Sequence, residues 1–335
     1  MLTKDQSPDV QGVGQFTYDA DAQPVQPETL FDLASVSKVV GTTAMAMLLW
    51  QRGLLDLHRP VGETLPEFVR EEAPGSPKQS VTPEVLLAHC SGLPAYERLY
   101  ERCSTRSSLL DACLHMPLEA APGSRAVYSD IGFIVLGQLL ETLAEEPLDT
   151  FCRREIFAPL GMTSTLYCPS PEMRSSIPPT GMDVGLRRGT VQGEVHDENC
   201  SRLGGVAGHA GLFSNVADVL GFASCILRGG APVFQQEAVA LFTARHSTPP
   251  HTSRALGWDT PSERSSSGFF FSSHSVGHLG YTGTSLWIDL EKQVAVALLT
   301  NRTYPDAHSE RSSKGIRRVR PRFHDALMQE WNASK

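Results

Sequence analysis

Between Val39 and Gln51 the chain carries no charged residue, and Met45, Met47, Leu48, Leu49 and Trp50 follow Val39 and Val40 with no polar stripe between them. A helix that is apolar all round is buried on every side. This one would be roughly 20 Å long, short of a membrane span. The pattern therefore predicts a central helix inside a globular domain, stopping near Gly53. Weak alternation from Gly12 to Tyr18, ending in the turn cluster Asp19 to Ala22, predicts a strand and a tight return before Thr29 to Phe31. Thr82 and Pro83 suit the cap and first position of a short helix carrying Val85, Leu86 and Leu87. Ser108 to Met116 reads as another helix, Ile131 to Leu143 recurs at helical spacing up to Pro147, and Phe151 to Leu160 adds one more.

The second half begins with a loop-rich stretch from Met162 to Gly193. Leu212 to Ser214 reads as a strand, Val216 to Leu227 as a helix, and Ser265 to Ser273, with three phenylalanines, as a strand beside a flexible loop. Thr284 to Leu290 and Val294 to Thr300 give a hairpin joined at Glu291 and Lys292, and Phe323 to Trp331 a terminal helix. Strands at both ends and helices between them predict an α+β fold, with one antiparallel sheet built from both termini and a mainly helical subdomain inserted. The expected organisation is a single domain over residues 1–335, its α/β part at about 1–58 and 204–335 and its helical part at about 59–203.

Composition narrows the function. The formal net charge is −8, from 29 Lys and Arg against 37 Asp and Glu, which argues against a general nucleic-acid partner. Seven widely spaced cysteines without a C-x-x-C exclude a zinc ribbon and make reduced thiols the default. No signal peptide and no run of 18 apolar residues is visible, so a cytoplasmic setting is expected, with the periplasm open if the N-terminus is incomplete. A small molecule or peptide is the expected substrate, and oligomeric state is left open.

Candidate chemistry sits at the start of the central helix. Ser35 and Lys38 are three apart, on one face of a first turn at the positive end of the helix dipole. Burial and that dipole would lower the amine's pKa, letting a neutral lysine take the serine's proton. The plain alternative is a capping Ser35 or Ser37 and a solvated Lys38. Two further stretches bear on the choice: Tyr128-Ser129-Asp130 at a helix start, and Gly277 to Thr284 with His278 and Gly280 just before the hairpin. Taken singly, Tyr128 could be a core tyrosine, Asp130 a cap, and His278 a satisfied strand histidine. His89 reads as a structural hydrogen-bonder.

In this order the three stretches resemble the S-x-x-K, Y-x-N and K-T-G motifs of serine β-lactamases and penicillin-binding proteins. Leu86 to Pro94 resembles the L-L-x-H-x-S-G-L-P of the class C β-lactamase-like branch, which includes esterases and D-Ala-D-Ala carboxypeptidase-like proteins. Pro122-Gly123 before Tyr128-Ser129 matches it too, and His196 to Asn199 with Gly208 to Ser214 is similar to penicillin-binding-protein-4B-like members. The resemblance runs from about Phe16 to Trp331. Asp130 stands where Asn is more usual, and His278 where β-lactamases have Lys, as in several esterase and peptidase branches. Family members usually have an extra helix and strand ahead of the serine, so one sheet edge is expected to be missing or replaced.

The resemblance implies a β-lactamase/transpeptidase-like fold and a serine hydrolase acting through an acyl-enzyme, on esters or D-amino-acid peptides and amides. It implies Ser35 as nucleophile, Lys38 and Tyr128 as proton carriers, and an oxyanion hole from the backbone N–H groups of Ser35 and Tyr281. Asp130, His278 and Gly280 would bind substrate. Neither cofactor nor metal is implied. A β-lactamase and a receptor that is acylated without turnover are the alternatives. Clustered His196, Asp197, Glu198 and His209 could bind zinc, but a loop held by side-chain hydrogen bonds is the expected reading. The basic run Arg311, Lys314, Arg317, Arg318, Arg320 and Arg322 is expected to be a solvated surface.

Overall fold

The computed structural model describes residues 1–3, 7–183, 185–186, 188–263 and 265–333, without the Arg311 side chain. Its strands are β1 (Leu2–Thr3), β2 (Phe31–Asp32), β3 (Leu166–Tyr167), β4 (Gly181–Asp183), β5 (Gly189–Val191), β6 (Leu212–Ser214), β7 (Ser275–Leu279), β8 (Ser285–Asp289) and β9 (Val294–Leu298). The main sheet is antiparallel in the order β1-β9-β8-β7, so the two ends of the chain meet in it. A smaller sheet, β2-β6-β3, carries the entry to the central helix, and β4 pairs with β5.

Both faces of the main sheet are covered. Leu286, Ile288, Ala295 and Ala297 join the large core, on which the Val216–Leu227 helix lies against β8 and β9. Trp287, Val294 and Val296 point the other way and pack with Phe271 and Met328 under the C-terminal helix, Glu310–Ala333. Successive side chains alternate faces, which is why the hairpin reads as a continuous apolar run. The helices Val61–Thr64, Pro83–Leu87, Leu99–Arg102, Arg106–Leu114, Asp130–Ala144 and Leu148–Cys152 all lie between β2 and β3 in the chain. Among the described residues no helix is long and apolar enough to cross a membrane.

The central helix is buried from Val36 to Leu49 but not uniform. Ala34–Val36 is a 3-10 turn, Lys38–Thr43 a π turn, and Ala44–Gln51 regular α-helix. The wide turn brings Lys38 and Thr42 alike onto one strand of loop: Lys38 Nζ donates to His209 O at 2.8 Å and Thr42 Oγ1 to Gly208 O at 2.7 Å. Neither serine caps the helix; Ser37 Oγ accepts Leu212 N–H at 3.1 Å instead.

Several expectations are corrected. Gly12 to Tyr18 is no strand: Gln15 and Pro24 form one isolated bridge, because Val13 and Tyr18 are exposed and little of the stretch is buried. Ser265 to Ser273 is turns, its Phe269 and Ser272 N–H groups held by the Asp325 and Asp289 carboxylates rather than by a neighbouring strand. Pro147 opens the Leu148–Cys152 helix instead of ending the one before, which stops at a left-handed Glu145. The segment from Phe151 continues a helix begun at Leu148, with a π turn at Arg153–Phe157. Thr82 occupies the cap position without a side-chain bond. The C-terminal helix starts 13 residues ahead of Phe323, at Glu310, and tolerates Pro321 inside it. Its polar first half carries no apolar periodicity strong enough to announce a helix.

Candidate active site

The turn that carries Ser35 follows β2. Asp32 is buried, and its two carboxylate oxygens accept Ala34 N–H at 2.8 Å and His196 N–H at 2.7 Å. Burial raises its pKa to about 6, against the pull of those two N–H groups. Ala34 then adopts a left-handed conformation, φ 47°, a strained setting for a residue with a Cβ. From Phe31 to Val40 only Ser35 is not buried, so the turn presents one hydroxyl to solvent.

Lys38 is completely buried directly beneath it. Its Nζ lies 3.0 Å from Ser35 Oγ, 2.6 Å from Asp130 Oδ1 and 2.8 Å from His209 O. Burial alone would lower its pKa, but the Asp130 carboxylate and Tyr128 beside it more than reverse this, and the net shift is upward. The expected lowering of the amine is therefore corrected: with Asp130 and Tyr128 beside it, Lys38 is shifted toward the ammonium form. Asp130 is not the helix cap; Ser129 is, through Oγ accepting Gly132 N–H.

Tyr128 lies over the pair, with the Lys38 ammonium 5.0 Å from its ring centroid. Burial pushes its phenol up to about 12, although Lys38 draws it down. Its buried hydroxyl interacts with Lys38 and Ser35 but makes no hydrogen bond of good geometry among the described residues, and neither do His89 Nε2 and His278 Nε2, whose rings lie 4.6 and 5.8 Å from the Tyr128 ring. Buried polar atoms are ordinarily paired, so three without such a bond around one ring mark a place where water or substrate completes the bonding. His89 bears out its structural reading by accepting Ser129 N–H at Nδ1, 3.1 Å. His278 Nδ1 faces Leu279 O at 2.8 Å. A carbonyl only accepts, so Nδ1 holds the hydrogen and Nε2 presents a lone pair. Burial and the nearby Lys38 hold His278 well below the usual imidazole range, so it brings no positive charge.

Gly280 and Tyr281 follow β7. An added Cβ on Gly280 would fall 1.9 Å from Thr284 Oγ1 and 2.4 Å from Leu33 O, so glycine is required by this close approach. Thr282 Oγ1 donates to Asp32 O at 2.7 Å and Thr284 Oγ1 to Leu33 O at 2.8 Å, lacing this turn to the Ser35 turn. The Tyr281 ring is half-exposed, stacked on His196 at 5.6 Å and beneath the Arg302 guanidinium at 4.6 Å. Ser35 and Lys38 from the turns after β2, Tyr128 and Asp130 from the start of the Asp130–Ala144 helix, and His278, Gly280 and Tyr281 from the end of β7 and the turn after it thus converge.

The His196 cluster does not converge on a point. Asp197 Oδ1 caps the Glu198–Arg202 helix through Cys200 N–H and accepts His209 Nε2–H at 2.8 Å. His196 Nδ1 turns to Thr180 Oγ1. No group of three or more His, Cys, Asp or Glu among the described residues could hold a metal. The Asp197–His209 bond instead fixes the loop whose His209 carbonyl meets Lys38. All seven cysteines are free.

Three residues escaped sequence reasoning. Asp32 was detectable as one charge within an apolar run. Arg254 stands with its guanidinium 5.6 Å from the Tyr128 centroid, on a loop without periodicity. Arg320 was read as surface, but it is buried and donates to Gly280 O, Gly283 O and Thr284 O. The other described residues of that run fit the surface reading, Lys314, Arg317, Arg318 and Arg322 being exposed; the Arg311 side chain lies outside the described residues.

An antiparallel sheet between helices, with Ser-x-x-Lys opening a buried helix, Tyr-x-Asp opening another and His-x-Gly ending an edge strand, defines a class, and the comparisons agree. The family model described as Beta-lactamase matches residues 1–318. An N-acetylmuramyl-L-alanine amidase of Bacillus subtilis is 33% identical over 310 residues, covering 84% of this chain and 69% of that one. A putative D-alanyl-D-alanine carboxypeptidase of Salmonella agona is 31% identical over 308 residues, covering 82% and 70%. The structure of simvastatin synthase (LovD) from Aspergillus terreus superposes with a TM-score of 0.72 at 21% identity, covering 95% of this chain and 89% of that one, a likeness of fold. The chain belongs to the Beta-lactamase family, which bears out the resemblance and the α+β fold.

Proposed function

We propose that this chain is a serine hydrolase that forms an acyl-enzyme on Ser35 and acts on esters and on D-amino-acid peptides or amides. The observation that carries the reading is the partly exposed Ser35 hydroxyl on a strained turn, 3.0 Å from a buried lysine. Ser35 attacks the carbonyl, and its proton passes through Lys38, with Tyr128 placed to hand a proton to the leaving group. The developing oxyanion is met by the N–H groups of Ser35 and Tyr281, whose turns are tied together by Thr282 and Thr284. His278 Nε2 accepts a hydrogen bond rather than supplying charge. A substrate carboxylate is met instead by Arg254, the guanidinium above Tyr128. The names carboxypeptidase and amidase among the relatives support an amide-cleaving role.

The test is a panel of p-nitrophenyl butyrate, a D-Ala-D-Ala peptide and nitrocefin, with intact-mass detection of the acyl-enzyme. Turnover of the first two is expected, with nitrocefin slow or only acylating. Ser35→Ala abolishes all three and leaves circular dichroism unchanged. Retained turnover in a folded Ser35→Ala protein overturns the nucleophile, and nitrocefin turnover exceeding esterase activity overturns the substrate reading.

A further inference from the structure

We propose that Asp130 is a positioning residue that takes a proton from Lys38 so that Lys38 can accept one from Ser35. The proposal rests on Ser35 being the nucleophile. An ammonium has three N–H donors. Lys38 has three acceptors within reach, Ser35 Oγ at 3.0 Å, His209 O at 2.8 Å and Asp130 Oδ1 at 2.6 Å, so all three donors are used and one of them points at Ser35. In that state Ser35 cannot give its proton to Lys38; Lys38 must first lose one. The His209 carbonyl cannot take it. Asp130 can, along the shortest of the three bonds.

The step balances. One Nζ–H bond breaks and an Asp130 O–H bond forms, leaving a neutral amine and a neutral acid. A third of a turn about Cε–Nζ brings the amine lone pair to Ser35 Oγ. As Oγ bonds to the substrate carbonyl carbon, its proton moves to Nζ. When the tetrahedral centre collapses, the leaving group takes that proton, directly or through Tyr128, and Asp130 returns its own to Lys38. The same cycle with water in place of Ser35 releases the acyl group. An asparagine at 130 could hold Lys38 in place but could not store a proton.

The groups facing Lys38 and Asp130 are Tyr128, Tyr96, His89, His278, Asp197 and Arg254. Burial holds both histidines below their usual range and both phenols above theirs, and Asp197 is drawn down to about 2, mainly by His209 working against burial. This leaves the Lys38–Asp130 pair to set the pH dependence of Ser35.

The rate at which a fluorophosphonate labels Ser35, read by intact mass from about pH 4 to about pH 10, tests this. In the unmodified protein the rate should hold from alkaline pH through neutrality and fall only in acid. In Asp130→Asn the acid limb should rise to neutral pH or above, as activity then awaits a neutral Lys38, so the rate at neutral pH should fall at least about twofold and about tenfold further for each pH unit below the limb. Asp130→Glu should restore the low limb. An Asp130→Asn limb that stays in place, with only KM raised on ester substrates, overturns the relay in favour of substrate binding. If Asp130→Asn does not fold, the unmodified protein decides: an alkaline acid limb overturns the proposal. Absence of Ser35 labelling at every pH overturns both readings. Labelling with the low limb but no turnover of any substrate supports the relay while the hydrolase reading fails.

Discussion

Replacing Arg320 by methionine tests whether the Tyr281 turn is held from behind. Arg320 Nη2 donates to Gly280 O and to Thr284 O at 2.8 Å, and Nε reaches Gly283 O at 3.3 Å. Two good charge-assisted bonds contribute about 4 kcal/mol and the longer one about 1. Burial opposes this: it lowers the guanidinium pKa from 12.5 to about 10, a cost of about 3 kcal/mol. Methionine fills the volume without that cost, so the net loss is about 2 kcal/mol. For 335 residues the unfolding entropy is about 0.7 kcal/mol per degree, so Tm should fall by about 3 °C. The larger effect is on chemistry. With three carbonyls released, the Tyr281 N–H moves off the position of the oxyanion, and kcat should drop roughly 10- to 100-fold with KM little changed. Thermal unfolding and p-nitrophenyl butyrate kinetics measure both, with exposed Arg317→Ala as the control expected to change neither. An Arg320→Met protein with the parent's kcat would show that the turn does not depend on Arg320.

Two further outcomes follow from the site. Asp197 is held at about 2 in the fold, His209 and the Cys200 N–H outweighing the effect of burial, so its carboxylate favours folding above about pH 4 and that contribution fades as pH falls toward 2. Asp197→Asn should therefore cost about 2 kcal/mol near neutral pH and progressively less in acid, measured by urea unfolding across that range; a gap that stays constant with pH refutes the assignment. Arg254→Ala should raise KM for a D-Ala-D-Ala peptide roughly 10- to 100-fold while leaving ester kinetics within about twofold, and equal losses on both would remove Arg254 from carboxylate binding.

Where burial and backbone geometry decide the outcome, the chain declares itself. The apolar run from Val39, the apolar hairpin and the Asp130–Ala144 helix each carry a strong local pattern, and each forms close to its expected span. Segments whose backbone is satisfied by distant side chains do not. Nothing within Ser265 to Ser273 announces that Asp325 and Asp289 will take its N–H groups, and the three phenylalanines imitate a strand. The C-terminal helix is hidden for a related reason: beside Ile316, its inward contacts in the first half come from Arg320 and Ser312, polar residues that patterning assigns to solvent.

The candidate site divides along the same line. Its members were legible because order along the chain is a sequence property. Their charge states were not, because these depend on a contact between residues 92 positions apart. Taken alone, the dipole and burial around Lys38 argue for a neutral amine, and that inference is physically sound until Asp130 stands 2.6 Å away. An asparagine at 130 would put an amide where Asp130 puts a carboxyl 2.6 Å from Lys38 Nζ, and on the relay proposed above that carboxyl is where the proton of Lys38 goes. A buried ammonium whose three hydrogens are all committed cannot be a base, and the same contact that commits it supplies the acceptor that frees it. Asp130 therefore has to be read together with His209 O and Ser35 Oγ, as one set of three acceptors around one nitrogen, for the chemistry to follow from the fold.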